Sequence, residues 1–164
     1  MRILGIDPGL ATVGWGVIDV IGGRPKAVAY GVILTPKEKK LPERLLIIEE
    51  DLKSLISKFN PDEIALEELF FNNNATTAIN VSQARGVILL TCTKTCKGLF
   101  EYTPLQIKQA LTGYGRAEKK QIQEMTRTFL NLAKIPKPDD AADALAVALT
   151  HSQTNRLRST FAIK

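Results

Sequence analysis

Three short apolar segments within the first 34 residues most constrain how this chain can fold. They cover residues 2–6, 13–20 and 26–34, and each is short enough to be a β-strand. The breaks between them contain the turn residues Asp7-Pro8-Gly9 and Gly22-Gly23. Proline fixes φ in such turns, and glycine tolerates positive φ. Successive strands joined by short breaks predict an antiparallel meander at the start of the fold.

Beyond this meander, helical and strand patterns alternate. A helix is predicted over residues 41–59, which repeat apolar side chains at helical spacing, and a mostly apolar strand over residues 63–70. The remaining predicted elements are a helix over 75–94, a strand over 98–102, and helices over 104–113, 117–133 and 140–151, the last capped by Asp139. This order predicts an α/β fold with a five-stranded mixed sheet, antiparallel in its first three strands, and helices on both faces.

The length and charge of the chain narrow its class. Its 164 residues, 45% of them hydrophobic, suit a single compact domain. We expect this domain over residues 1–153, followed by a basic, poorly ordered tail over residues 154–164. The net charge of +5 favours a polyanionic partner, because lysine and arginine release counterions from phosphates. A basic protein without such a partner is the alternative.

Membrane insertion, export and zinc binding are not expected. The sequence has no apolar run of about 18 residues, and an acid and a proline stand where a signal peptide needs an apolar stretch. We therefore expect a cytoplasmic protein with no membrane contact. Cys92 and Cys96 are predicted to be buried thiols, because a zinc site needs two further ligands and the single histidine, His151, is distant in sequence.

Several acids occur next to or within apolar segments. Asp7 ends the first strand, Glu67 and Glu68 lie within the fourth, and Asp140 and Asp143 share one face of an alanine-rich helix. Simpler explanations exist for most of them: Asp7 suits a turn, either glutamate could be solvated, and Asp140 suits a helix start. Asp143 lies in a helix that should face the core, where an unpaired carboxylate is costly.

A metal site would explain these acids together. If the first and fourth strands are neighbours and the last helix begins over their ends, the carboxylates meet at one point. Such a cluster repels itself unless a divalent cation joins it, and Mg²⁺ prefers hard oxygen ligands. Two such ions, about 3.5–4 Å apart, can activate water and stabilise the leaving oxygen in phosphodiester hydrolysis.

Short motifs of one known family occur in order along residues 1–151. They are Gly5-Ile6-Asp7-Pro8-Gly9, Gly14-Trp15-Gly16-Val17-Ile18, Ala65-Leu66-Glu67, Asn74-Ala75, Gln83-Ala84-Arg85-Gly86-Val87, Gln106-Ile107-Lys108-Gln109, Gly113-Tyr114-Gly115, Ala117-Glu118-Lys119 and Asp140-Ala141-Ala142-Asp143-Ala144-Leu145-Ala146. With them the sequence resembles the RuvC family of Holliday-junction resolvases. Departures occur at Leu10-Ala11 and Phe71-Asn72-Asn73, where the family often has polar or basic residues that could contact phosphates.

The resemblance implies a ribonuclease-H-like fold and a set of catalytic, metal-binding acids that chooses Glu67 over Glu68. These acids are Asp7, Glu67, Asp140 and Asp143. It implies Mg²⁺ as cofactor, with Mn²⁺ able to substitute, at one or two ions per subunit. It also implies that a homodimer makes symmetric paired nicks in two strands of like polarity at a four-way DNA junction. A branch-migration motor of the RuvA–RuvB type is the implied partner, in recombination and repair.

The same resemblance indicates DNA contacts and a dimer contact. Phe70 matches an aromatic residue thought to stack on junction bases. Lys108 and Lys119 match lysines implicated in catalysis or backbone contact, although most lysines are simply solvated. Arg116 and Lys120 are more general phosphate-binding candidates. The helix over 75–94, apolar on several sides, is where the family dimerises, and a thick monomer core is the alternative.

Three other functions are compatible with parts of the pattern. Another ribonuclease-H-like nuclease, acting on RNA–DNA hybrids, would share the acids and the metals. A catalytically silent junction-binding protein would not need all four acids. An actin-like ATPase domain shares the first motif, but it needs a second phosphate-binding half for which this chain is short. Substrate preference and ATP hydrolysis separate these functions.

Overall fold

The computed structural model describes the backbone of residues 1–69, 75–95, 98–154 and 158–163, and the side chains of these residues except 75–77 and 158–159. The elements, in chain order, are β1 Arg2–Asp7, β2 Thr12–Ile21, β3 Arg24–Leu34, α1 Leu41–Phe59, β4 Glu63–Glu67, α2 Ala75–Thr95, β5 Leu99–Tyr102, α3 Pro104–Thr112, α4 Lys119–Phe129, α5 Asp139–Gln153 and α6 Arg158–Phe161.

The five strands form one mixed sheet in the order β3-β2-β1-β4-β5. Strands β1, β2 and β3 pair antiparallel, whereas β4 runs parallel to both β1 and β5. The long helical connections between β3 and β4 and between β4 and β5 provide the crossovers that parallel neighbours need. This arrangement confirms the predicted α/β fold and places β1 and β4 side by side.

Both faces of the sheet are covered by apolar side chains. Alternate residues of a strand point to opposite faces, so Ile3 of β1 packs in the core beneath α5 while Leu4 packs in the core beneath α1 and α2. Ala65 of β4 shares the α5 side with Ile3, and Ile64 shares the other side with Leu4. The direction of any side chain on β1 or β4 therefore follows from the parity of its position.

Glycines on β1 and β2 let helix α5 lie directly on the sheet. A Cβ atom at Gly5 would lie 2.1 Å from the backbone oxygen of Ala144, and one at Gly14 would lie 2.0 Å from the backbone oxygen of Asp140. At Gly16 it would lie 2.7 Å from the side chain of Leu145. Any larger residue at Gly5 or Gly14 would collide with helix backbone, which cannot rotate away. These contacts fix the height of the helix start above the ends of β1 and β2.

The predicted bounds of three elements, β4, α4 and α5, are wrong. Strand β4 ends at Glu67 rather than at residue 70, and Phe70 itself lies outside the described residues. Asp139 does not cap α5: it is the first helical residue, and the cap position is Pro138, which makes no side-chain cap bond. Helix α4 begins at Lys119 and ends at Phe129, shortly before Asn131 adopts a positive φ of 50°. Left-handed backbone of this kind does not continue a helix.

The C-terminal segment and the cysteines complete the description. Within residues 154–163, the structure describes helix α6, whose Phe161 ring lies 4.9 Å from that of Tyr102, and a bridge between Ala162 and Phe100 of β5. The domain boundary after residue 153 stays a prediction. Cys92 is buried, and Cys96 lies outside the described residues. Within the described ranges, no helix has the length and apolar content needed to cross a membrane.

Candidate active site

Asp7 and Glu67 end two adjacent parallel strands. Ile6 of β1 pairs with Leu66 of β4, so the next residue of each strand stands beside the other at the same sheet edge. By strand alternation both carboxylates point to the α5 face, the side on which Ala65 is buried. Glu68 follows on the opposite side, in a shallow cavity lined by Leu69, Ser82 and Arg85. Strand geometry thus separates two glutamates that the sequence pattern left equivalent.

The N-terminal turns of α5 bring two further acids over this edge. Asp7 pairs with Gly14 of β2, and the missing side chain of Gly14 admits the backbone of Asp140. Asp143 follows Asp140 by three residues, so both carboxylates lie on one side of the helix. The glycine contacts of the sheet therefore bring Asp140 close to Asp7, although the two residues are 133 positions apart in sequence.

The pKa values of these carboxyls report mutual repulsion in a partly buried setting. Burial, followed by the charges of Glu67, Asp143 and Asp140, raises the pKa of Asp7 from 3.8 to about 8. Burial, followed by the charge of Asp143, raises the pKa of Glu67 from 4.5 to about 7. Burial also raises the pKa of Asp143, against the opposing effect of Lys119. The acids therefore lie within electrostatic reach of one another.

A lysine on α4 partly neutralises the cluster. Lys119 Nζ donates a hydrogen bond of 2.8 Å to Asp143 Oδ2 and lies 3.9 Å from Asp139 Oδ2. Partial burial lowers the pKa of Lys119. The hydrogen bond to Asp143 and the charges of the nearby carboxylates have the larger combined effect, so the pKa of Lys119 is raised. Lys119 and Lys108 line a cavity of about 180 Å³ together with Glu67 and Asp143. Two predicted lysines and two predicted acids thus share one opening.

The donor chemistry of the cluster fits a divalent cation. All four side chains offer carboxylate oxygens, which Mg²⁺ and Mn²⁺ prefer, and burial together with mutual repulsion, only partly offset by Lys119, raises the pKa values of Asp7, Glu67 and Asp143. As they stand, no three of the described Asp, Glu, His and Cys side chains converge closely enough to ligate one ion. Asp143 is instead bonded to Lys119, so binding requires these side chains to rearrange.

The remaining predicted DNA-binding residues lie apart from the acids. Arg116 and Lys120 are exposed and line an open groove beside Tyr114, formed by the loop before α4 and by α4 itself. This groove shares no lining residue with the cavity at Glu67 and Asp143. In the sequence, Tyr114 stands only within a family motif, and Asp139 was predicted only as a helix cap. For Asp139, the available signal was its spacing of four residues before Asp143, which places both on one helix face.

Known proteins resemble this chain over its whole length. The family model for crossover junction endodeoxyribonuclease RuvC matches residues 3–151. A crossover junction endodeoxyribonuclease RuvC of Alkaliphilus oremlandii (strain OhILAs) is 54% identical over 164 residues, 100% of both chains. The structure of Thermus thermophilus RuvC in complex with Holliday junction substrate superposes with a TM-score of 0.93 at 33% identity, covering 99% of each chain.

A more distant structure shares the fold alone. The yeast mitochondrial Holliday junction resolvase Ydc2 superposes with a TM-score of 0.68 at 13% identity, covering 92% of this chain and 77% of its own. These similarities confirm the expected ribonuclease-H-like architecture and the resemblance of the motifs. Because the family model spans the sheet, the four acids and helix α5 up to His151, and a relative of equal length is identical at more than half of its positions, the chain belongs to the RuvC family.

Proposed function

We propose that this protein is a Holliday-junction resolvase, an endonuclease that makes paired symmetric nicks in two strands of like polarity in recombination and repair. The observation that carries this proposal is the placement of Asp7, Glu67, Asp140 and Asp143 over one sheet edge. The close structural similarity to a RuvC solved on a Holliday junction supports the choice of substrate. The alternative is a nuclease of the same fold that prefers RNA–DNA hybrids. The test below distinguishes this alternative from a junction resolvase.

The four acids are the proposed metal ligands and catalytic residues. Their oxygen donors, and the raised pKa values of Asp7, Glu67 and Asp143, suit Mg²⁺, with Mn²⁺ as a substitute, at one or two ions per subunit. A bound divalent ion would activate water and stabilise the charge that develops on the phosphate. The protein contributes the four carboxylates, and the glycine contacts beneath α5 set the position of the helix start that carries Asp140.

The lysines and the aromatic residue are proposed DNA contacts. Lys108 and Lys119 line the cavity beside Glu67 and Asp143, where a scissile phosphate would sit, so they can stabilise its charge. Arg116 and Lys120, in the groove beyond, suit phosphates further along a strand. Phe70 follows β4 closely in sequence, and its role in stacking on junction bases stays a prediction from the family motif.

We also propose that the protein acts as a homodimer through α2. This helix exposes 60% of Ile79 and 55% of Leu90, and the exposed positions Gln83 and Gly86 lie between them on the same side. Exposed apolar side chains repeated along one helix favour a helix of a second copy as the covering surface. A two-fold dimer presents two equal sites to a junction of near two-fold symmetry, which explains paired nicks.

Two further assignments follow from the family. A branch-migration motor of the RuvA–RuvB type is the proposed protein partner, because junction cleavage must be coordinated with movement of the branch point. The cytoplasm is the proposed compartment, because the proposed substrate is DNA. Co-purification of the protein with a branch-migration motor tests the partner. Co-purification with cellular DNA tests the compartment.

The function is tested with a matched pair of variants. Wild type, Glu67→Gln and Glu68→Gln are incubated with a labelled synthetic four-way junction, a linear duplex and an RNA–DNA hybrid, in Mg²⁺. We expect wild type and Glu68→Gln to nick two strands of like polarity in the junction. Glu67→Gln should bind the junction but cut it at least about 100-fold more slowly. Preference for the hybrid would refute the substrate, and equal loss in both variants would refute the site.

A further inference from the structure

Two helices face each other beside the acid cluster with matched polar side chains. Lys119 and Gln123 are one turn apart on α4, and Asp139 and Asp143 are one turn apart on α5. The Lys119 ammonium therefore has two carboxylates within reach: Asp143 Oδ2 at 2.8 Å and Asp139 Oδ2 at 3.9 Å. Asp139 does not belong to the proposed set of metal ligands, so its place in this pairing needs a separate explanation.

Asp139 is held in position from its other side. Lys137 Nζ lies 2.6 Å from Asp139 Oδ1, which leaves Oδ2 as the oxygen nearer to Lys119. The Gln123 side chain is buried close by, and its Nε2 atom has no hydrogen-bond partner among the described atoms. The carboxylate of Asp139 is thus held through Oδ1 by Lys137, while its Oδ2 lies nearer to Lys119.

The bond between Lys119 and Asp143 conflicts with metal binding at Asp143. A divalent ion at the acid cluster competes with the ammonium for the Asp143 carboxylate, because two cations close to one carboxylate repel each other at such short range. Binding of an ion therefore favours release of Lys119 from Asp143. The nearest alternative carboxylate is Asp139, 3.9 Å from the ammonium in the present arrangement, so the transfer requires only a small change in side-chain torsion.

We propose that Lys119 competes with the divalent ion for Asp143, and that Asp139 is a positioning residue that receives the Lys119 ammonium when the ion binds. This inference rests on the proposed metal site. Transfer to Asp139 keeps Lys119 at the rim of the cavity that Glu67 and Lys108 also line, where a substrate phosphate can accept from it. Without Asp139, the released ammonium has no oriented partner, and its departure from Asp143 is less favourable.

The test measures Mn²⁺ affinity by calorimetry at pH 8.5, without DNA, in wild type, Lys119→Met, Asp139→Asn and the double variant. Lys120→Met is the control for loss of one positive charge on α4, because Lys120 is exposed and does not line the acid cavity. We expect Lys119→Met to bind Mn²⁺ about tenfold more tightly than wild type, and Lys120→Met to be nearly unchanged. Asp139→Asn should weaken binding by about threefold, and this weakening should largely disappear in the Lys119→Met background.

The Mn²⁺ affinities of the variants can contradict the competition, the role of Asp139 or the metal site itself. Unchanged affinity in Lys119→Met would overturn the competition between lysine and ion. Equal weakening by Asp139→Asn in both backgrounds would overturn the positioning role, because Asp139 would then act on the ion directly. If wild type binds no Mn²⁺, or binds it no better than Asp7→Asn, the proposed metal site fails and this inference fails with it. Thermal unfolding of each variant establishes that the protein measured is folded.

Discussion

Adding one methyl group at Gly14 is expected to separate acids that the fold otherwise holds together. A Cβ atom at this position would lie 2.0 Å from the backbone oxygen of Asp140. Because a carbon–oxygen contact normally needs about 3.3 Å, the start of α5 must retreat by roughly 1 Å. The colliding atom belongs to helix backbone, so no side-chain rotation relieves it. Such overpacking costs about 1–3 kcal/mol of unfolding free energy, and a misplacement of about 1 Å costs about 100-fold in the chemical step.

Gly31→Ala is the matched control for this variant. Its added Cβ would lie 2.9 Å from the ring of Trp15, a side chain on the opposite face of the sheet from α5. We expect both variants to lower the melting temperature by several degrees, roughly 2–4 °C for each kcal/mol. Only Gly14→Ala should also lose junction cleavage and Mn²⁺ affinity. Normal cleavage in Gly14→Ala, or equal loss of cleavage in both variants, would refute the argument that this contact positions Asp140.

Three further predictions concern pH, the dimer and the core. Because the pKa of Asp7 is raised from 3.8 to about 8, the folded metal-free protein holds a proton that the unfolded chain has lost, so stability falls as pH rises through this window. Between pH 5 and pH 8 the loss amounts to about 4 kcal/mol, at roughly 1.4 kcal/mol per pH unit; Asp7→Asn should remove it, and parallel pH profiles of unfolding free energy in the two proteins would contradict this. Leu90→Glu should turn the dimer into a monomer in light scattering, and an unchanged mass would remove α2 from the interface. His151→Phe loses hydrogen bonds of 2.7 Å to Tyr102 and 2.8 Å to Glu63, and should lower unfolding free energy by about 2–3 kcal/mol, with Mn²⁺ affinity intact; full stability would show that these bonds contribute nothing.

The order of elements could be predicted from sequence because hydrophobic spacing is a local property. The three strands of the meander, the helix over 41–59 and the sheet class all follow from alternation or helical periodicity together with turn residues. The boundaries were less accurate. Apolar residues resume at Leu69 after the two glutamates, yet β4 ends at Glu67, because its pairing with β5 ends there. Strand ends depend on partners that the local sequence does not specify.

The acids of the site were recognisable, but their arrangement was not. An acid within the alanine-rich segment around Asp143 was visible as a local anomaly. The choice of Glu67 over Glu68 came from the family resemblance, and its geometric reason is the register between β1 and β4. The contact between Lys119 and Asp143 joins two helices 24 positions apart, and nothing in either segment alone indicates it. The role of Gly14 was likewise not visible in its own segment, since its neighbour, Asp140, comes from the far end of the chain.

A crystal of the protein soaked in Mn²⁺ tests most directly whether the sheet edge forms one metal site. The anomalous signal of manganese locates the ion without reference to any activity. The account predicts a peak coordinated by Asp7, Glu67, Asp140 and Asp143 oxygens at about 2.2 Å, with Lys119 moved away from Asp143. A manganese peak elsewhere, or none at these carboxylates at saturating Mn²⁺, would contradict the claim that this fold brings its four acids together to bind a catalytic ion.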